Sequence, residues 1–116
     1  MKHLVKVKKF HRKKDQRRAL FKNLAHNLIM KEQIKTTTQR AKYLRKTIEK
    51  LITTAKKQNL AALRRLLSKL PKKSAYKLFH EVAPRYKDRN GGYTRIIKLP
   101  LKRKGDNAEL SIIEFV

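Results

Sequence analysis

The chain contains no cysteine. Disulfides and thiolate metal sites are therefore excluded, and the usage fits a reducing compartment. Acid is scarce. Eight Asp and Glu stand against 33 Lys and Arg, a formal net charge of +25 on 116 residues. Glycine occurs three times, and two of the three, Gly91 and Gly92, are adjacent. No apolar run approaches the ~20 residues of a membrane helix. The N-terminus lacks the apolar core of a signal peptide and reads as mature protein.

The length bounds the chain to one domain with an arm. The 40% hydrophobic fraction supplies a real but small core, and a chain of this size buries roughly two-thirds of its unfolded surface. A small soluble domain usually carries a net charge of about 2 to 8 in magnitude. The excess here repels itself within a Debye length of about 8 Å. Such a sequence reads as one that folds or operates against a polyanion, and nucleic acid is the first candidate.

Residues 1–14, "MKHLVKVKKFHRKK", contain no acid and no clear period. They read as a basic arm ordered by a partner, and residues 15–116 as the single folded domain. Asp15 is expected to cap a first helix from Gln16 to about Met30. Its apolar stripe is Leu20, Leu24 and Leu28 with Phe21 and Ala25, while Lys22 and His26 face outward. Ile34 marks a short strand, and Thr37 caps the second helix, Gln39 to about Lys56. There Ala41, Leu44, Ile48, Leu51, Ile52 and Ala55 form nearly an a/d seam. The opposite face carries Lys42, Arg45, Lys46 and Lys50 against the single acid Glu49.

A turn at "KKQN" precedes a third helix with Leu60, Leu63, Leu66, Leu67 and Leu70, ended by Pro71. Ser74 is expected to cap a fourth, with Ala75, Leu78, Phe79, Val82 and Ala83 inward and Pro84 at its end. No acid lies between Glu49 and Glu81, so the middle helices add to the positive field. "YTRIIKL" (Tyr93 to Leu99) and "AELSIIEFV" (Ala108 to Val116) alternate as strands of a hairpin, joined by the basic loop "PLKRKGDN". The order predicts an α+β fold: four helices packed on a small three-stranded mixed sheet, with a basic N-terminal arm.

"RNGGYTR" (Arg89 to Arg95) tests for a nucleotide cradle. A P-loop needs its glycines between a strand and a following helix. Here a helix precedes the glycines and a strand follows. Asn90-Gly91-Gly92 reads instead as a turn with positive φ that holds Arg85, Arg89 and Arg95 near one another. The planar fork of arginine suits phosphate oxygens. Tyr86 and Tyr93 either stack on unpaired bases or pack at the core edge with their hydroxyls outward. His3, His11, His26 and His80 are scattered without metal-ligand spacing. No catalytic pairing of acid, histidine and serine emerges, so neither a metal, a cofactor nor an enzymatic activity is expected.

Two stretches, with the chain's last residues, carry a family resemblance. "IKTTTQRAKYLRKTIEKLITTAKK" (Ile34 to Lys57) and "KLFHEVAPRYKDRNGGYTRIIKL" (Lys77 to Leu99), with "RRALFKNL" (Arg17 to Leu24) and the closing "GDNAELSIIEFV", resemble the bacterial-type large-subunit ribosomal protein L-seventeen family. The likeness covers nearly the whole chain. The arm departs from the family: it lacks glycine and has Gln16 where histidine is common.

The resemblance implies an α+β structural constituent of the large subunit in the cytoplasm, bound to large-subunit ribosomal RNA near the outer end of the nascent-chain tunnel. Neighbouring proteins such as L-thirty-two are the implied protein partners. The candidate RNA-binding residues are then Lys2, His3, Lys6, Lys8, Lys9, His11, Arg12, Lys13 and Lys14 in the arm, and Arg17, Arg18 and Lys22 in the first helix. Lys35 and Arg40 follow, then Arg85, Arg89, Asn90, Tyr93, Arg95, Lys98, Arg103 and Lys104. The rivals are a nucleoid-type DNA-binding protein, which needs a dimer seam, and a membrane-active cationic protein, which needs a free apolar helix face.

Overall fold

The computed structural model describes Phe10 and residues 13–116; the readings for Lys2, His3, Lys6, Lys8, Lys9, His11 and Arg12 lie outside the described residues. Helix α1 spans Lys14–Lys31. It starts one residue before Asp15, which therefore sits in the first turn rather than at the cap. The extended residue Lys13 takes the cap position, and its amide donates to Gln16 Oε1 at 3.4 Å. Asp15 still favours the positive helix end. The buried face is Phe21, Ala25, Leu28 and Ile29, with Leu20 and Leu24 at its flank. The stripe is thus rotated from the expected leucine row toward Phe21, which packs on Tyr43 of the next helix, and Ile29.

Glu32, at φ +63°, reverses the chain into β1, Gln33–Thr37. Thr37 caps α2, Thr38–Ala55, by accepting from the Arg40 amide at 3.4 Å. Every position of the expected seam, Ala41 through Ala55, is buried. α2 packs against all three strands and against the following helix, so it is the spine of the molecule.

Helix α3, Leu60–Lys69, is capped by Asn59, which accepts from the Ala62 amide at 2.8 Å. Ala62 and Leu66 face the core, and Leu70 is buried just beyond the helix. Leu60 is 60% exposed, contrary to the leucine stripe expected, because it lies at the solvent end of the first turn. Helix α4, Lys72–Lys77, begins after Pro71. Ser74 is not its cap. It is buried inside the helix and donates to the Pro71 carbonyl at 3.0 Å. The chain then widens into a π-turn at Leu78–Val82 and tightens into a 3₁₀ turn at Ala83–Tyr86. Pro84 sits in the first turn of that last piece, where a missing N–H costs little, so it does not stop the helical path.

Strands β2 (Thr94–Lys102) and β3 (Glu109–Phe115) form the hairpin. The sheet order is β1-β3-β2, and both pairings are antiparallel. It is therefore an antiparallel sheet rather than a mixed one. The hairpin dictates the direction of β3, and β3 then inserts between β2 and β1. β2 continues past Pro100 with a register shift between Lys98 and Lys102; an edge strand tolerates proline there.

Ile34, Ile113 and Ile96 align across the strands on the helix-facing side. Leu28, Ile29, Leu44, Ile48, Ile52, Leu66, Leu78, Val82 and Ile113 are essentially sealed from solvent. Each such side chain stabilises by about 1.5–3 kcal/mol over an exposed one. Among the described residues no helix is long and apolar enough to cross a membrane.

Candidate nucleic-acid interface

The glycine turn is held from within. Gly91 and Gly92 have φ +136° and +61°. Arg89 Nε donates to both glycine carbonyls at 3.1 Å. The Lys56 ammonium donates to the Arg89 carbonyl and, at 3.0 Å, to the Tyr93 hydroxyl. The Tyr93 hydroxyl in turn donates to the Arg89 carbonyl at 3.3 Å. The Lys56 hydrogen bond draws the Tyr93 hydroxyl below its ordinary pKa, whereas burial pushes the Tyr86 hydroxyl up.

Tyr86 and Tyr93 are 4% and 2% exposed, with ring centroids 5.3 Å apart. Tyr86 donates to the carbonyl of Val116 at 2.9 Å. Both rings are core-edge packing and present no face to a base, which corrects the placement of Tyr93 among RNA contacts.

Five basic residues of the C-terminal half face acids. Arg85 pairs with Glu32, whose carboxylate also lies 3.8 Å from Lys77. Arg95 pairs with its cross-strand neighbour Glu114 at 2.7 Å, and Lys98 lies 3.6 Å from Glu109. Arg103 Nε donates to Asp106 at 3.1 Å, and that contact holds the Asp106 carboxyl at about 2. These pairs are largely exposed and each contributes little to stability. Their guanidinium groups keep further outward donors, but their charge is locally compensated. Asn90, Lys35 and Lys104 are exposed, and Arg40 is half-buried in the first turn of α2.

A group of bases without acid partners gathers elsewhere. A cleft of about 470 Å³ opens between α1 and α3 over α2. Lys14, Arg17, Arg18 and Lys22 line it from α1, and Lys69 from α3. Phe21, Ala25, Leu51 and Leu70 give it an apolar floor, with Tyr43, Thr47 and Ser68 at its walls. A second hollow of about 210 Å³ shares Thr47, Leu51 and Lys69 and adds Lys46, Lys50 and Arg65.

Neither hollow is lined by an acid, and none of these eight bases joins an ion pair among the described residues. Glu49, the one acid of α2, is held on the sheet side by Arg45 at 3.1 Å and Thr94 at 2.9 Å.

The structure thus gathers Lys14, Arg17, Arg18 and Lys22 and sets them apart from the Arg85–Arg95 corner. Lys46, Lys50, Arg65 and Lys69 were absent from the sequence-derived set. Their signal is a basic i, i+4 pair on each of two helices, matching Lys14, Arg18 and Lys22 on the first. His26 does not face outward: it is half-buried, and its Nδ1 is buried without a hydrogen-bond partner among the described residues. His80 lies flat against Tyr76 with centroids 5.9 Å apart. Among the described residues, no three His, Cys, Asp or Glu side chains gather into a metal site.

Residues 20–116 match the family model described as Ribosomal protein L17. The chain is 57% identical over 118 residues to the large ribosomal subunit protein bL17 of Persephonella marina, covering 100% of this chain and 95% of the relative. The protein of the same name from Hydrogenobaculum sp. is 55% identical, with 100% and 99% covered. That from Fusobacterium nucleatum is 48% identical, with both chains covered completely, at 100%.

Proposed function

The chain belongs to the ribosomal protein L17 family, a structural component of the large ribosomal subunit in the cytoplasm and not an enzyme, and we propose that it binds and organises large-subunit ribosomal RNA by neutralising phosphates. The observation that carries this is the pair of adjoining acid-free hollows: eight bases on three helices, none of them paired with an acid among the described residues. Burial of Leu44, Ile48, Ile52 and Leu66 fixes the helices, so the bases are presented in a set geometry. Each phosphate contact releases condensed counterions, and that release favours binding.

The paired arginines Arg85, Arg95 and Arg103 supply a second, weaker face, and the basic arm, residues 1–14, adds charge of the same sign. The seat within the subunit is near the outer end of the nascent-chain tunnel, beside neighbouring proteins such as L-thirty-two; the family resemblance supports this placement. Titrating a large-subunit RNA fragment at several salt concentrations tests the binding. About ten phosphate contacts give a slope of log K against log[salt] near −7 to −9. A slope shallower than about −3 would mean that most of the charge is solvated surface and that the proposal fails.

A further inference from the structure

We infer that the cleft over α2 receives one extruded, unpaired nucleotide of the bound RNA, its base against the half-buried Tyr43 and its phosphate among the surrounding lysines and arginines. This rests on the RNA-binding reading above and specifies what enters the cleft.

Three observations lead there. The first is size. At about 470 Å³ the hollow falls within the range of small-ligand pockets, about 300–1,000 Å³. An RNA duplex, recognised across its wide shallow groove and its backbone, does not enter such a hollow. The second is the floor. A site for phosphate alone needs no apolar surface, yet Phe21 and Leu51 floor this one. Tyr43 is half-buried, tilted against Phe21 at 4.3 Å and braced by Phe10 at 5.7 Å. It is a ring held in place beside unpaired cations, which is the arrangement that stacks a splayed base.

The third is the set of polar groups at the walls. The Thr47 hydroxyl has no hydrogen-bond partner among the described residues, and Ser68 donates to the Arg65 carbonyl at 2.6 Å, which leaves its oxygen free to accept. Both hydroxyls can therefore meet a base edge. The tyrosines of the glycine turn are sealed in the core and offer no comparable site.

The test uses two RNA hairpins of equal length, one fully paired and one with a single bulged 5-iodouridine. The full chain is expected to bind the bulged hairpin about tenfold more tightly, as one base–aromatic stack warrants. Irradiation is expected to crosslink the bulged base to Tyr43. Ser68→Leu, which fills the cleft without changing charge, is expected to reduce the bulged hairpin to the affinity and the salt slope of the paired one.

Equal binding of the two hairpins by the parent protein overturns the inference and leaves the RNA reading standing. Crosslinks that fall only outside the cleft overturn it too, and they are read on the unmutated chain, whatever the folding of Ser68→Leu. A preference that survives in folded Ser68→Leu moves the site elsewhere and sinks the assignment. Binding of neither hairpin overturns the RNA reading itself.

Discussion

The hydroxyls of Thr38 and Ser111 lie 2.6 Å apart in the seam between the first turn of α2 and the middle of β3. They are 4% and 0% exposed, so this is a buried polar pair in an otherwise apolar interface. Thr38 also reaches the Glu109 carbonyl at 3.4 Å, but Ser111 has Thr38 as its side-chain partner. Removing one hydroxyl strands the other, and a buried unsatisfied group costs about 1–3 kcal/mol. Thr38→Val is therefore expected to lower stability by that order. Adding Ser111→Ala removes the stranded group, so the double variant should lose less than the sum of the two singles. Urea unfolding of the four proteins measures the coupling. Simple additivity would show that the two hydroxyls do not depend on each other.

The glycine turn separates steric room from backbone strain. A Cβ on Gly91 would meet nothing within 4 Å, and one on Gly92 would meet only the tip of Arg89 at 3.9 Å. Space is therefore not what demands glycine. Gly92, at φ +61°, lies in the left-handed well, where an L-residue pays about 1–2 kcal/mol. Gly91, at φ +136°, lies outside that well, so Gly91→Ala should cost more than Gly92→Ala, within about 1–3 kcal/mol. Gly92→Asn should be milder than either, since asparagine tolerates this conformation. Thermal unfolding gives the ranking, and equal losses at the two positions would count against a conformational cause.

Glu32 makes stability depend on pH. The hydrogen bond from Arg85 and the nearby charges of Arg85 and Lys77 hold its carboxyl below the ordinary value of 4.5 despite partial burial. The unfolded chain thus takes up a proton at higher pH than the folded one. The contribution is fully present above the unfolded pKa and is lost as pH falls through the folded one. With the side chain 38% exposed, solvent screening limits it to below about 1 kcal/mol. The parent should be more stable than Glu32→Gln near neutral pH, and their Tm values should converge as the pH falls through and below the ordinary carboxylate range. A gap that persists unchanged to the lowest pH would remove the ion pair from the account.

Much of the scaffold was legible in the sequence. Ala41, Leu44, Ile48, Leu51, Ile52 and Ala55 follow one period over 18 residues and bury one face. Thr37 stands where a cap is needed. The alternation of "ELSIIEF" marks a strand with Ser111, Ile113 and Phe115 inward.

What escaped depends on partners distant in sequence. Ser74 has the chemistry of a cap, but tertiary packing buries it within α4 instead. Proline signals a stop only where its N–H would be needed, and at Pro84 it is not. The pairing of Arg85 with Glu32 spans 53 residues and cannot be read from local charge. The two basic hollows escaped for the same reason: Lys50, Lys69 and Arg18 sit on three helices, and only their packing sets them side by side.

The last prediction compares the two basic faces. Arg95 is exposed but paired with Glu114, whereas Arg18 and Lys69 line the cleft unpaired. Each replacement by glutamine removes one positive charge, so net charge alone predicts equal effects on RNA binding. Contact predicts a difference. Losing a phosphate contact lowers the magnitude of the salt slope by about 0.7–0.9, so Arg18→Gln with Lys69→Gln should lower it by about 1.4–1.8. Arg95→Gln should leave the slope within about 0.3 of the parent and weaken affinity only slightly, because the arginine already faces a carboxylate. None of these exposed bases anchors the core, so Tm should stay close to the parent throughout. If Arg95→Gln lowers the slope as far as a cleft substitution, its pairing with Glu114 must yield to phosphate when RNA arrives. The interface would then extend from the cleft around to the outer face of the sheet.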